Sequence, residues 1–244
     1  MAFAQGSRSG LSYIVESTFG TTPSGNFTAI PYNSHSLNLT KERVSGNEIQ
    51  PDRMLRVDRH GNRQTAGDIV VDLRDGNFDP FLESALQNTW DTSPSSAPDQ
   101  LKVGVTPKFF SIEDAANDIA QYRLFTGMSV SSMSISIAPN QMVTATFGMV
   151  GKDMTISGTG KTVDAATIAQ PFDAYSGDVA IGDVASSSAS AIVTSLDFSI
   201  DNAVTPTFVV GDDATPQLLS GMATVEGTFT AYFEDAALIN RFIN

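Results

Sequence analysis

Three stretches of the chain alternate a small polar residue with a large apolar one. They lie at residues 36–40, 132–136 and 195–199. Each is followed by a second alternating run, at 67–73, 142–150 and 223–233. A period of two is the period of a β-strand that buries one face and exposes the other. The pattern therefore predicts three pairs of antiparallel strands repeated within one fold.

Shorter patterns predict the remaining elements. Residues 11–16, 109–113 and 121–125 are typical of strands, the last two on either side of an acidic turn at 114–118. Asp79 as an N-cap and Pro80 at the first helical position predict a short amphipathic helix over 79–87. The apolar residues of 234–243 suit a second helix, and this repeated strand-then-helix order supports an internal duplication. The predicted fold class is mainly β: an antiparallel β-sandwich or barrel with one or two short flanking α-helices, in a single domain over 1–244.

Two segments stand apart from this pattern. Residues 1–10 are rich in Gly and Ser and predict a flexible N-terminal arm. Residues 41–66 are charged and contain Gly46, Pro51 and Gly61, which predicts a long loop between two partner strands. Loops of this length are uncommon inside a domain unless they are functional or disordered. A solvated surface loop is one interpretation, but the apolar residues spaced through it favour an arm ordered against a neighbouring subunit.

Charge separates the 41–66 segment from the rest of the chain. The formal net charge is −13, whereas residues 41–63 hold six basic and four acidic residues, a local +2 that leaves −15 elsewhere. An acidic surface disfavours nucleic-acid binding, because it repels phosphate. The asymmetry is either simple solvation or a means for the basic segment of one copy to meet the acidic surface of another.

No catalytic motif accompanies the strands. The chain has no cysteine, which excludes disulfides and thiolate chemistry. The run 158–162 lacks the first glycine of a phosphate-binding loop, since Thr155 occupies that position. His35 and His60 lie far apart on segments expected at the surface, where a histidine is usually solvated. An enzyme is unsupported, and no cofactor or metal is expected. Neither a secretion signal nor an apolar run of 18 residues is visible, so we expect synthesis in a cytoplasm and no membrane insertion.

The order of the segments resembles a known family. Residues 13–23 are similar to an opening Glu-x-x-x-Gly-Thr-x-Pro segment, with Glu16, Gly20 and Pro23 in place. Residues 36–50 with 67–86 resemble a first hairpin, long loop and helix. Residues 126–133 with 143–147 resemble a middle hairpin, and 195–202 with 227–233 a last one. The family is that of the phage tail tube proteins of long, non-contractile (siphophage) tails, and the resemblance covers most of the chain except 155–194.

The resemblance implies an assembly. Copies of the chain, six to a ring, join their inner sheets into a barrel, and rings stack into a tube that conducts DNA into the host. The long loop and the N-terminal arm reach adjacent subunits or rings. Tape measure, terminator and tip proteins are the implied partners, the virion tail is the implied location, and the host cytoplasm is the site of synthesis.

Two sets of site residues follow. Acids on the polar positions of the strands are expected to face the lumen, with an outer solvated face as the alternative: Asp68, Asp72, Asp197, Asp201 and Glu226. Arginines of the long loop are expected at contacts between rings: Arg53, Arg56, Arg59 and Arg63. The rival assignments are another virion β-protein, such as a decoration protein or adhesin, a tube protein of a contractile or secretion system, and a carbohydrate-binding or hydrolytic β-sandwich.

Overall fold

The fold is built almost entirely from antiparallel strands, described here from a computed structural model. The structure describes residues 3, 5–49, 51–52, 54, 57–92, 99–176, 180–181, 189–190 and 193–232. The strands are β1 (Ser9–Glu16), β2 (Phe27–Ile30), β3 (Ser34–His35), β4 (Asn38–Val44), β5 (Arg59–Asp72), β6 (Phe109–Ala116), β7 (Gln121–Ile137), β8 (Thr144–Gly151), β9 (Asp153–Ser157), β10 (Val163–Asp164), β11 (Ala180–Ile181), β12 (Ala189–Ser190), β13 (Val193–Asp201), β14 (Thr205–Pro206), β15 (Leu218–Leu219) and β16 (Thr224–Ala231). An α-helix, α1 (Asp79–Leu86), and a 3-10 turn (Gly6–Arg8) complete the described elements.

Two layers share one long strand. In the first layer β6 lies between β1 and the beginning of β7, with β2 beyond β1 and β9 on the other side of β7. In the second layer β7 continues between β8 and β13, with β5 beyond β8 and β16 beyond β13. Strand β7 changes layer near Gly127, whose φ of +64° is a conformation that favours glycine. Only the short β10–β2 pair is parallel among the named pairs in the described residues.

The core lies between the layers and is filled by aromatic rings around α1. Phe81 of α1 stacks on Phe110 of β6 at 4.7 Å between centroids and meets Tyr13 of β1 edge-on at 4.9 Å. Its ring also lies 5.4 Å from that of Phe147 on β8. The helix therefore joins both layers, and its buried residues Phe81, Ser84 and Ala85 lie on one face.

Strand β5 extends well beyond the core. Its C-terminal half pairs with β8 and β3, whereas its N-terminal part, residues 59–66, pairs with β4. We call residues 38–66, the two paired strand segments and their connection, the ribbon. Gly67 lies where β5 passes from β4 to β3: it has a φ of +150°, and a Cβ there would come within 2.6 Å of the backbone of Ser36 and Leu37. Only glycine fits this junction.

Most of the predicted elements are confirmed. The hairpin of β7 and β8 and the pair of β13 and β16 form as expected, and α1 spans 79–86. The helix begins one residue earlier than predicted, because Phe78 is the N-cap and Asp79 is already helical. The acidic turn is shorter than predicted, since β6 continues to Ala116. The predicted helix at 234–243 lies outside the described residues.

The segment 41–66 is not the loop that was predicted. Residues 41–44 and 59–66 are strand, with Lys41 opposite Arg63 and Val44 opposite Arg59. These strands were not predicted because polar residues occupy both of their faces. Apolar and polar residues alternate along a strand only where one face packs on a core. The arm at 1–10 is also shorter than expected, since β1 begins at Ser9.

Candidate functional site

The second layer presents one polar face across five strands. The register pairs place outward residues in three rows that run β5, β8, β7, β13, β16. The rows are Asp72, Thr144, Ser136, Asp197, Thr228; then Val70, Thr146, Ser134, Ser199, Glu226; then Asp68, Gly148, Ser132, Asp201, Thr224. We call these fifteen positions the polar face. All five predicted acids lie on it, and none of the fifteen is Lys or Arg.

On four of these strands the opposite side faces the core: Ile69 and Val71 on β5, Met133 on β7, Ala145 and Phe147 on β8, and Ile200 on β13 are buried. Alternation therefore directs the acids of β5 and β13 away from the interior. On β16, residues 224–230 are exposed on both sides. Asp68, Asp197, Asp201 and Glu226 are exposed and Asp72 is partly exposed.

Hydrogen bonds orient several of these acids without neutralising them. Ser136 Oγ donates to Asp197 Oδ1 at 2.7 Å, and Asn33 Nδ2 donates to Asp72 Oδ1 at 2.7 Å. The backbone N–H of Ala203 donates to Asp201 Oδ1 at 2.8 Å. No ion pair between two described residues involves any of the five acids. The two central strands β8 and β7 carry only Ser, Thr and Gly148 on this face, so the acids lie on β5 at one side and on β13 and β16 at the other.

The four arginines that were predicted to act together do not share one position. Arg53 and Arg56 lie outside the described residues. Arg59 is exposed at the beginning of β5. Arg63 is held within its own chain, with Nη2 3.2 Å from Asp153 Oδ2 and Nε 3.2 Å from Asp213 Oδ1. These contacts tie the base of the ribbon to β9 and to the loop before β15.

Glu16 is a residue whose role only the structure reveals. Its side chain is buried, and its carboxylate accepts hydrogen bonds from Ser111 Oγ at 2.6 Å, Gly20 N at 2.6 Å and Gly127 N at 2.9 Å. Gly20 has a φ of +70°. Glu16 and Gly20 are both in the opening segment quoted above, and the network shows why they occur together: the carboxylate closes the 17–20 turn and anchors it to the bend of β7.

His35 is not the solvated histidine that was predicted. Its side chain is only 13% exposed, and Nε2 lies 3.7 Å from Asp114 Oδ1. Burial lowers the pKa of His35, Asp114 opposes this shift, and Arg123, which is itself hydrogen-bonded to Asp114, adds to it. The sequence carries no signal for this contact, because β3 and β6 are brought together by the fold. His60 is exposed, as expected.

The described residues hold no group of three or more His, Asp or Glu placed to bind a metal ion. The glycine-containing run at 158–162 also serves the fold: Lys161 N donates to the buried Glu113 carboxylate, with distances of 3.0 and 3.1 Å to its two oxygens. A backbone N–H that faces a carboxylate in this way is not oriented toward a phosphate. Within the described residues, no helix is both long and apolar enough to cross a membrane.

These features define a mainly β protein with a two-layer antiparallel fold, a paired ribbon and a polar face that carries five acids. The chain belongs to the phage tail tube protein family, whose model matches residues 6–244. The family is structural, and membership makes the chain a component of the virion tail. The predicted resemblance and fold class are confirmed.

Solved structures with similar folds include tubes and their terminating caps. The tail tube of SPP1 matches with 10% identity and a TM-score of 0.44, over 66% of this chain and 81% of that chain. The sheath/tube terminator of an extracellular contractile injection system, PVC, matches with 13% identity and a TM-score of 0.38, over 64% and 98%. The cap of the anti-feeding prophage matches with 13% identity and a TM-score of 0.40, over 64% and 92%. No curated protein matches the chain.

Proposed function

We propose that this chain is the subunit of a phage tail tube, in which six copies form each ring, rings stack, and the polar face lines the channel. The observation that carries the proposal is the convergence of Asp68, Asp72, Asp197, Asp201 and Glu226 on one face of one sheet. Family membership supports the tube, and the single-sign face supports the orientation.

Ring closure is supported by the two edges of the second layer. In the described residues β16 pairs only with β13, and β3 and β4 pair only with β5. Unpaired edges expose backbone donors and acceptors that invite another strand, and closing a barrel removes them. Edge-to-edge contact between neighbouring copies brings successive polar faces into one continuous inner wall.

An acidic lining suits a channel for DNA. The phosphates of passing DNA are repelled by fixed carboxylates over about 8 Å at physiological ionic strength. The polar face has no Lys or Arg, so it offers no cation to pair with the DNA phosphates. The passing DNA is therefore not held at any position. Tape measure, terminator and tip proteins are its proposed partners, and DNA passes through without being bound.

Cysteine accessibility tests this orientation, because the chain is naturally free of cysteine. In S134C the thiol lies at the centre of the polar face, and in I156C it lies on the exposed β9 of the first layer. Both thiols should react with a bulky maleimide reagent in the dissociated subunit. In assembled tubes S134C should be protected from the bulky reagent while I156C remains reactive.

The opposite result contradicts the orientation. If S134C reacts with the bulky reagent equally well in tubes and in subunits, the polar face lies on the outer wall. Rings or hollow tubes of uniform width in negative-stain micrographs of the purified protein would support the tube, whereas particles that stay monomeric at every concentration, even with an assembly initiator added, would favour a decoration protein. A small maleimide serves as the control for thiol reactivity, because it reaches both sites in either state.

A further inference from the structure

We propose that His35, Asp114 and Arg123 form an acid-sensitive contact between the two layers, and that protonation of the imidazole frees strand β3 from β6. We call these three residues the histidine contact. The device acts within a single subunit and goes beyond the proposed function. Its consequence for ring closure rests on that function, because β3 lies at an edge of the second layer.

The strand register turns His35 toward the first layer. In the pairing of β3 with β5, His35 lies opposite Ile69. Residues opposite each other in an antiparallel pair lie on the same side of the sheet. Ile69 is buried on the core side, so His35 also points inward, where it reaches Asp114 on β6. This side chain therefore joins the edge of the second layer to the first layer.

Strand β3 has few other bonds to hold it. It is two residues long, and among the described residues it pairs only with β5. On its two sides the N–H of Asn33 donates to Val70 O at 2.8 Å, and the N–H of Ser36 donates to Asp68 O at 2.9 Å. Short segments with few bonds open at a low free-energy cost. Loss of the contact between His35 and β6 should therefore be felt first in β3.

The surroundings of the imidazole favour its neutral form. Nε2 of His35 lies 3.7 Å from Asp114 Oδ1, but Asp114 Oδ2 already accepts a hydrogen bond from Arg123 Nε at 2.8 Å. Nδ1 is buried, and no described residue forms a hydrogen bond with it. The Tyr32 ring meets the imidazole edge-on at 5.3 Å. A proton on His35 would place a second cation beside a carboxylate that Arg123 already pairs, where little water stabilises the charge.

The balance of these groups sets the sign of the pH dependence. Burial lowers the pKa of His35 from 6.5, Asp114 raises it, and Arg123 lowers it further. The other groups that face the imidazole in the described part of the chain are Tyr32 and the apolar Ile69. Because the net shift is downward, the unfolded chain binds the proton more strongly. Stability from the contact is therefore complete above about pH 6.5 and is lost as the pH falls below it.

Solvent reaches the contact without unfolding of the whole chain. A cavity of about 370 Å3 is lined by all three residues of the histidine contact, together with Gln5 and Gln121. Gln5 and Gln121 are exposed, so the cavity opens to water beside them. The imidazole can therefore take up a proton from solvent while the two layers remain folded.

Unfolding in denaturant near neutral and at mildly acidic pH tests the contact. H35Q keeps an amide that can donate to Asp114 but cannot be protonated. H60Q is the matched control, because His60 is the other histidine of the chain and is exposed. Between about pH 7.5 and about pH 5.5, the equilibrium constant for unfolding should rise up to about tenfold more in the wild type and H60Q than in H35Q.

Amide hydrogen exchange shows whether β3 is the segment that is freed. After correction for the intrinsic effect of pH, protection of the Asn33 and Ser36 amides should fall severalfold in acid in the wild type. The same two amides should keep their protection in H35Q. Amides of β8, at the centre of the second layer, should change only as much as the global stability does.

A second variant removes the competing cation. In R123Q, Asp114 is free to pair with a protonated His35, so the pKa of His35 should rise above its ordinary value. Acid should then stabilise the contact instead of weakening it, and stability should be lost as the pH rises. R59Q is the control, because Arg59 is an exposed arginine outside the histidine contact. R59Q should keep the pH dependence of the wild type.

Three outcomes overturn the proposal. H35Q loses as much stability in acid as the wild type, the Asn33 and Ser36 amides keep their protection in acid, or R123Q leaves the pH dependence unchanged. At about pH 5.5, H35Q should also form tubes more readily than the wild type, and equal yields would overturn the consequence for ring closure. Failure to form tubes at either pH counts against the proposed function alone, since stability and exchange are measured on the subunit.

Discussion

The two halves of β5 show what packing adds to strand pairing. Residues 65–72 have neighbours on both sides, a buried inner face with Ile69 and Val71, and α1 beyond it. Residues 59–64 pair only with β4; Arg59 and His60 are exposed, and residues 61–64 are half-buried. The same backbone geometry is thus held in two ways, by an apolar core in residues 65–72 and by strand pairing with the ion pairs of Arg63 in residues 59–64. We therefore expect substitutions in the core half to cost more stability than substitutions in the ribbon half.

The largest effect is expected from breaking the core half. Substitution F81A removes a fully buried ring that contacts Tyr13, Phe110 and Phe147. The loss of apolar burial and the cavity left behind should lower the free energy of unfolding by about 3–5 kcal/mol. Denaturant unfolding followed by the fluorescence of Trp90, the single tryptophan, measures it. F208A, at a residue 37% exposed, is the control and should cost far less; equal losses would contradict the central role of Phe81.

A smaller effect is expected at the junction between the two halves. Substitution G67A forces a side chain into the positive-φ conformation and against the backbone of Ser36 and Leu37. Such strain costs about 1–3 kcal/mol. Gly46 offers a matched control, because a Cβ there meets nothing within 4 Å. If G67A unfolds at the same denaturant concentration as G46A, the junction is more adaptable than its geometry indicates.

The smallest changes in stability are expected from removing single ion pairs. Two pairs in different parts of the molecule allow a comparison. Lys108 and Glu83 form a pair beside α1 in which both side chains are largely buried, whereas Arg43 and Asp58 form a pair on the ribbon with Arg43 70% exposed. K108A leaves Glu83 buried without its cation and should lower stability by about 1 kcal/mol. R43A should change stability by less than about 0.5 kcal/mol, because an exposed pair is screened by water and salt. Chemical denaturation at low and high salt measures both; a larger loss for R43A would reverse the comparison.

Strand faces were readable from sequence because the side-chain period of a strand is local. The alternation around Asp68 and around Asp197 was enough to assign both to polar positions. Their meeting on one face was not readable, since it depends on β8 and β7 lying between β5 and β13 in a particular register. A slip of one residue in any of these pairs would move an entire strand's acids to the core side.

Other features could not be predicted from the sequence because they also depend on contacts between residues far apart in the chain. His35 and Asp114 are 79 positions apart in the chain and come together only when β3 and β6 reach the same region. The ribbon strands contribute no side chain to the hydrophobic core, so a pattern based on apolar burial could not find them. Glu16 stood in a recognisable segment, yet its partners Ser111 and Gly127 are contributed by β6 and β7.

Composition and local periodicity were enough to predict a mainly β protein, the residues that alternate between core and water, the position of α1, and a strongly negative charge outside one basic segment. These properties depend on composition and on periods of two and 3.6 residues, which are local. Only the tertiary contacts bring five distant acids onto one face and pair residues 41–44 with 59–63 of the basic segment. Register and strand order bring residues together across the whole chain, and no local period encodes them.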